Sequence, residues 1–269
     1  MPKVLQQRAS SPRKKPAKRG YSAPALEKGL DVLEVLAHEP AGLTTSEIAR
    51  RLGRTVSEIF RMVLCLDGRG YLAKQDGERY SLTLKLFKMV QEHPPTERMV
   101  TQALPVMHRV VLATQQSCHL GVIEGSEVVF IAQVNPPTAA GFYVRLGSSA
   151  DLMETSSGYV ILAHQTSEHR ERTLQEWGRL SGQPVPPDLA THLSRIKKAG
   201  FEKQPSYQVH GVLNISYPIF NSEGSAIGAL TTPYIARKND PVKITDVVQT
   251  MRAAAAEITA SIGGRAAHR

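Results

Sequence analysis

The chain is short of several things, and each shortage excludes a class of protein. Its 269 residues hold only two cysteines, Cys65 and Cys118. They fall in separate expected domains among apolar neighbours, so a disulfide framework is excluded and two buried free thiols in a reducing compartment are expected. No apolar run lasts more than a few residues before Gly, Pro or a charge breaks it, which leaves no segment to span a membrane. The basic N-terminus is not followed by an apolar stretch, so a secretory signal is not expected and a cytoplasmic location is. Catalytic signatures are missing too: there is no Gly-x-Ser-x-Gly elbow, no Walker sequence and no His-Glu-x-x-His. Paired carboxylates in an apolar setting are not evident, and no His or Cys partners stand at zinc-ligand spacing. No enzyme, no metal and no cofactor is expected.

Positive charge is abundant but unevenly placed. The net charge is +9. Residues 1–20 carry seven basic residues and no acid, whereas 21–90 hold 10 basic and 9 acidic residues and 91–269 hold 16 and 15. The body is close to neutral. Rich in Pro, Ser and charge, the first 20 residues cannot bury enough apolar area to fold alone and read as a disordered basic arm. Such an arm can track phosphates or remain a solvated tail.

The most informative stretch runs from Thr44 to Arg61, TTSEIARRLGRTVSEIFR. Thr44 with Glu47, and Thr55 with Glu58, form two capping boxes, each marking a helix start. Leu52 closes the first helix and Gly53 supplies the left-handed stop residue, with a turn too short for antiparallel packing. This is a helix-turn-helix. Ahead of it, Leu26, Leu30, Leu33 and Leu36 give one apolar stripe on a helix over about 23–38. Ile48, Ala49 and Leu52, with Val56, Ile59, Phe60 and Val63, supply the facing sides. That assignment leaves Arg54, Thr55, Ser57, Glu58 and Arg61 outward, behind an entrance at Thr44 and Thr45. Asp76-Gly77, between short segments carrying Tyr71, Leu72 and Tyr80, is a hairpin signal and makes the wing of a winged helix-turn-helix. Lys74 and Arg79 on that wing can reach a phosphate backbone or stand as ordinary solvated residues.

A helix rich in Leu84, Leu86, Phe87, Met89 and Val90 follows and needs a partner for its apolar side. His93, Pro94 and Pro95 are expected to break the chain at a domain boundary. Beyond it the pattern predicts a helix over 96–115 and a hairpin of His119–Ile123 and Val128–Val134. A third strand is predicted over Phe142–Leu146, then a helix over Ser156–His164 and polar helices between Ser167 and Gly200. Two more strands, Gly211–Pro218 and Ala226–Thr232, precede a last helix over Lys243–Ile262. No internal repeat is present. Hairpin-length turns between strands interleaved with helices define an α+β domain with an antiparallel sheet.

In this second half, Glu154-Thr155-Ser156-Ser157-Gly158 places three hydroxyls and a glycine at a helix start. The arrangement suits a small carboxylate or sugar acid, and it equally suits a plain N-cap with small residues for close packing. Asn214 and Ser216 share one strand face by period-two geometry, with Leu213 and Ile215 on the other. Two polar groups on a strand suited to burial suggest a lined cavity, which His119 and Gln133 can join. A small-molecule sensor acting through a protein partner, and an enzyme with a winged-helix appendage, stand as the alternative functions.

The sequence resembles the IclR family of bacterial transcription regulators from about Ala23 to Ile262. The likeness rests on Ala25-Leu26-Glu27-Lys28-Gly29-Leu30, Glu47-Ile48-Ala49, Ser57 and Arg61, Gly70-Tyr71-Leu72 and Tyr80-Ser81-Leu82. In the second half it rests on Thr155-Ser156-Ser157-Gly158 leading to Leu162-Ala163, Pro218-Ile219-Phe220 with Gly224, and Ala229-Leu230-Thr231. The resemblance implies a winged helix-turn-helix over 21–82, a linker helix over 83–95 and a GAF-like effector-binding domain over 96–262, with a disordered tail at 263–269. It also implies a homodimer or homotetramer on palindromic double-stranded DNA, repressing or activating a catabolic operon in response to a small organic acid. Matching positions place effector contacts at Thr155, Ser156, Ser157, Gly158, Asn214 and Ser216. Asp151 and Glu154 depart from the pattern, where many relatives have Pro and Ala, and add negative charge beside the expected anion site.

Overall fold

A computed structural model of the chain describes residues 23–75, 78–91, 94–138, 141–237 and 242–265. The expected basic arm, the Asp76-Gly77 turn, His93 and residues 266–269 of the tail lie outside the described residues. The chain divides into two compact units between Glu92 and His93.

The first unit contains α1 (Pro24–Leu36), β1 (Leu43–Thr44), α2 (Thr45–Arg51), α3 (Val56–Gly68), β2 (Leu72–Gln75), β3 (Arg79–Leu82) and α4 (Lys85–Gln91). Both helix starts form where the threonine–glutamate pairs stand. At α2, Glu47 N donates to Thr44 Oγ1 at 3.3 Å while the Glu47 carboxylate accepts from Thr44 N at 2.8 Å. At α3, the Glu58 carboxylate accepts from Thr55 N at 2.9 Å and Oγ1 at 3.0 Å. Gly53, at φ +62°, turns the chain between them, and Arg54 N returns to Ala49 O. Val32, Leu36, Ile48, Ala49, Ile59 and Val63 close the helical core, roofed by Leu43, Leu72 and Tyr80.

The expected inward faces need correcting. Leu26, Leu30, Val56 and Phe60 are exposed, at 63%, 50%, 41% and 47%. The burial stripe of α1 is Val32 and Leu36, backed by Leu33 and Val35, so a run of leucines at helical spacing overstated the length of the seam. β1 was not anticipated. Two residues carry no periodic signal, and only the partner residues Tyr80 and Arg79 make Leu43–Thr44 a strand, in a sheet ordered β1-β3-β2.

The second unit is built on a six-stranded antiparallel sheet ordered β6-β5-β4-β9-β8-β7. Its strands are β4 (Cys118–Glu124), β5 (Glu127–Val134), β6 (Ser149–Asp151), β7 (Glu202–Pro205), β8 (Val212–Phe220) and β9 (Ala226–Ile235). Helices α5 (Pro94–Thr114) and α9 (Ile244–Ser261) cover one face; α6 (Ser156–His164) and α8 (Leu189–Ala199) cover the other, with α7 (Ser167–Ser181) beside α6. Pro94 and Pro95 stand just past the division between the units, after α4 ends at Gln91. They open α5, where a missing N–H would be unpaired in any case.

Two strand assignments change. Phe142–Leu146 is not a strand, and its place is taken by β6, which pairs with Glu127–Val129. The irregular path is fixed where Phe130 bonds through N to Ser148 O at 3.0 Å and through O to Gly147 N at 2.9 Å, with Ser117 Oγ on Phe142 O. β7 reads EKQP, polar enough to pass for a loop, and becomes a strand by pairing with Leu213–Ser216.

Candidate functional site

In β8 the period-two face assignment holds. Ile215 enters the core under α5 and α9, while Ser216 turns to α6. On neighbouring strands, His119 stands opposite Thr231 and Ser216 opposite Thr231, so three polar residues meet over the sheet. Helix α6 brings its start onto them. Ser156 Oγ lies 2.7 Å from Ser216 Oγ, Ser216 Oγ 2.7 Å from Thr231 Oγ1, and Ser157 Oγ 2.8 Å from Thr231 Oγ1. Three bonds join these four hydroxyls and consume three of their protons, so one proton remains for an outside acceptor.

Over this network lies a cavity of about 150 Å³. Its polar wall is His119, Thr155, Ser156, Ser157, Asn214 and Thr231; its aromatic wall is Phe130, Phe142, Tyr143 and Tyr207. Val144, Arg145, Ser148, Ser149, Ser206 and Gln208 complete the rim. Thr155 caps α6, accepting from Gly158 N at 3.0 Å, and its hydroxyl proton stays available. The N–H groups of the first turn of α6 have no acceptor within the helix, so the positive end of the helix dipole opens on the same wall. Two atoms there are buried without a hydrogen-bond partner among the described residues: His119 Nδ1 and Asn214 Oδ1. Burial pushes the His119 imidazole down to about 3, so it is neutral at physiological pH. Burial, with the carboxylates of Glu154 and Asp151, pushes the Tyr207 phenol up to about 12. Both rings meet a ligand uncharged, and the cavity can hold an anion through hydroxyls, helix N–H groups and Arg145.

Of the eight expected effector residues, His119, Thr155, Ser156, Ser157 and Asn214 line the cavity. Three do not. Ser216 is fully buried behind Ser156 and Thr231, bonded to both hydroxyls and outside the cavity lining. Gly158 lies against Leu152, and a Cβ there would sit 2.1 Å from Leu152 O, so the glycine serves close packing. Gln133 pairs with His119 across the strands, yet its amide turns to Val134 O and Asn135 Oδ1. Asp151 and Glu154 leave the cavity too. Asp151 accepts from Met153 N at 2.7 Å and Trp177 Nε1 at 3.2 Å, and Glu154 is exposed outside the lining. Sequence reasoning missed Phe142, Tyr143, Arg145 and Tyr207, because the first three were assigned to a strand and Tyr207 sits in a loop without periodicity.

In the first unit, several expected DNA contacts are engaged within the protein. Arg54 pairs with Asp31 at 2.9 Å, Glu58 with Lys28 at 3.4 Å and Lys74 with Glu78 at 2.7 Å. Arg79 donates to Gly42 O and pairs with Glu47 at 3.1 Å, which makes it a brace between wing and α2. Thr44, Thr55 and Glu58 are committed to helix capping. Hydrogen bonds to the Thr55 backbone hold the Glu58 carboxyl below its ordinary range, and those to Thr44 do the same for Glu47. Ser57 and Arg61 stand exposed on α3, and Thr45 is half-buried at the start of α2. Arg50, exposed in the last turn of α2, adds a cation that the sequence reading passed over.

A helix-turn-helix with an exposed second helix, joined in one chain to a cavity-bearing α+β unit, defines a ligand-responsive DNA-binding regulator. Residues 25–76 match the IclR helix-turn-helix domain, and residues 96–260 match the bacterial transcriptional regulator IclR C-terminal domain. The chain belongs to the IclR family of bacterial transcriptional regulators. It is 24% identical over 252 residues to the HTH-type transcriptional regulator KdgR of Escherichia coli strain K12, covering 91% of this chain and 95% of that one. The HTH-type transcriptional repressor AllR of Salmonella typhi is 23% identical over 247 residues, covering 90% of each. Among solved structures, an IclR homologue from Microbacterium hydrocarbonoxydans complexed with 4-hydroxybenzoate superposes with a TM-score of 0.72 at 26% identity. That match covers 88% of this chain and 98% of the other.

Proposed function

We propose that this regulator binds a palindromic operator as a homodimer or homotetramer, and that a small organic acid held in the cavity over α6 sets its DNA affinity in control of a catabolic operon. Residues 21–82 form the DNA-binding winged helix-turn-helix, 83–95 the linker and 96–262 the effector domain. The observation that carries the effector reading is the pair of buried, unpartnered atoms, His119 Nδ1 and Asn214 Oδ1, facing a hydroxyl-lined helix start. Buried polar atoms are normally paired, so a site that leaves two facing one cavity is built for a guest. The carboxylate end goes to the hydroxyls and N–H groups of α6. Phe130, Phe142, Tyr143 and Tyr207 favour a flat apolar body over a sugar ring, and the 4-hydroxybenzoate complex of the Microbacterium homologue supports the same choice.

The experiment is a thermal-shift panel of aromatic acids, sugar acids and glyoxylate on the full chain, followed by operator binding with and without each hit. A hit is expected to raise the melting temperature and change operator affinity. Asn214→Ala is expected to remove both responses while leaving ligand-free operator binding unchanged. An equal response in wild type and Asn214→Ala overturns the site.

A further inference from the structure

A second and larger cavity, of about 800 Å³, opens elsewhere in the same unit. It lies where β8 outruns its neighbour: β7 pairs only with Leu213–Ser216, so Tyr217–Phe220 has no strand on that side. The end of α8, the outer face of α9 and the turn after α6 close around the gap. None of the first cavity's residues takes part.

Two features mark this space as more than a fold in the surface. Tyr217 is 4% exposed, its ring stacked on Phe201 at 5.1 Å, and its buried hydroxyl faces the Arg252 side chain without completing a well-formed hydrogen bond among the described residues. Gln165 Oε1, on another element of the same wall, is buried and unpartnered among the described residues. An unpaired buried hydroxyl or amide oxygen costs stability unless something else completes it. The second feature is charge. Lys197, Arg252 and Arg265 face the cavity against the single carboxylate of Glu223, an excess of two positive charges. Lys197 and Arg252 have no carboxylate within ion-pair distance among the described residues. Burial, reinforced by Lys197, lowers the pKa of the His164 imidazole at the edge of the site.

We infer that this cavity is a second ligand site, taking a small organic anion that also carries a hydroxyl group. Its acidic end meets Lys197 and Arg252 and accepts from the Tyr217 hydroxyl, and its own hydroxyl donates to Gln165 Oε1. A protein partner is a poorer fit, because no large apolar side chain lining this cavity is exposed, whereas interface centres are rich in them. The volume falls in the range of small-molecule sites. This site stands independently of the effector reading for the first cavity.

The test is calorimetric titration of the full chain with citrate, gluconate and glycerol 3-phosphate. At least one is expected to bind with one site per chain, with an affinity unchanged by Asn214→Ala. The same affinity is expected to fall at least tenfold in Lys197→Ala and in Arg252→Ala, whose side chains are exposed and do not support the core. Tyr217→Phe is expected to weaken binding without lowering the melting temperature, since it removes a hydroxyl that completes no well-formed hydrogen bond and keeps the stacked ring. Failure of all three probes to bind, or unchanged binding in both cation variants, overturns the proposal. So does a shift of oligomeric state in Arg252→Glu, by sedimentation velocity, with probe binding intact, which would make this face a contact between copies.

Discussion

At the scale of single residues, His119 combines two roles that pull against each other. Its ring is held edge-on to Phe130 with centroids 4.9 Å apart, and burial keeps it neutral down to about pH 3. Above the ordinary histidine pKa of 6.5 both folded and unfolded chains carry it neutral, so stability is complete there. As pH falls, the unfolded chain takes up a proton that the folded chain refuses, and stability is lost across the window from 6.5 towards 3. At one pKa unit per ~1.4 kcal/mol, the loss by pH 5 amounts to roughly 2 kcal/mol. His164, lowered chiefly by burial, adds in the same direction. Urea unfolding at pH 7 and pH 5 is expected to show a smaller drop in His119→Gln than in wild type. Effector affinity, by contrast, is expected to stay flat between pH 6 and 8 as far as His119 governs it.

Elements add constraints that no single residue carries. Helix α6 packs tightly on the turn after β6 only because Gly158 has no side chain: a methyl group there would meet Leu152 O at 2.1 Å. Gly158→Ala is expected to destabilise the second unit by about 1–3 kcal/mol, the usual cost of overpacking, and to lift Ser156 and Ser157 off their partners. Denaturant unfolding checks the first effect, and loss of the effector's thermal shift checks the second. At the other end of the chain, α2 depends on its reciprocal cap. Thr44→Ala is expected to cost about 0.5–2 kcal/mol in the first unit, measured by the same unfolding experiment. Arg79 belongs at this scale too. Its ties to Gly42 O and Glu47 make Arg79→Ala a change in how the wing is held, with DNA binding affected through that brace.

For the whole molecule, the balance of charge decides how DNA affinity is distributed. Outside residues 1–20 the chain is nearly neutral, and Arg54, Lys74 and Arg79 are spent on internal pairs. Arg50, Ser57 and Arg61 stand exposed on the helix-turn-helix and are expected to carry the reading of the operator sequence. Arg61→Ala is expected to weaken operator binding. If it contacts phosphate, the salt slope falls by about 1 and the loss is uniform across sequences; if it reads a base, the loss falls on one position. Unchanged affinity and slope by fluorescence anisotropy across a salt series would remove Arg61 from the interface. Deleting residues 1–20 is expected to reduce non-specific affinity more than operator preference, because charge without shape carries no sequence information.

The sequence by itself determined the helix-turn-helix, the start of α6 and the α+β character of the second unit. Capping pairs, turn glycines and strand alternation act between residues close in the chain, so their physics is written locally. It also placed Asn214 and Ser216 on one face, which period-two geometry dictates. Only the tertiary structure decided which polar residues line the cavity. Ser216 went behind Ser156 because α6 lands on it, Gln133 turned aside, and Asp151 was drawn away by Trp177, a partner 26 positions along the chain. It likewise made strands of Leu43–Thr44 and Glu202–Pro205, and an aromatic wall of a segment whose residues had suggested a strand. In each case the deciding neighbour is distant in sequence, and only folding sets how near it comes.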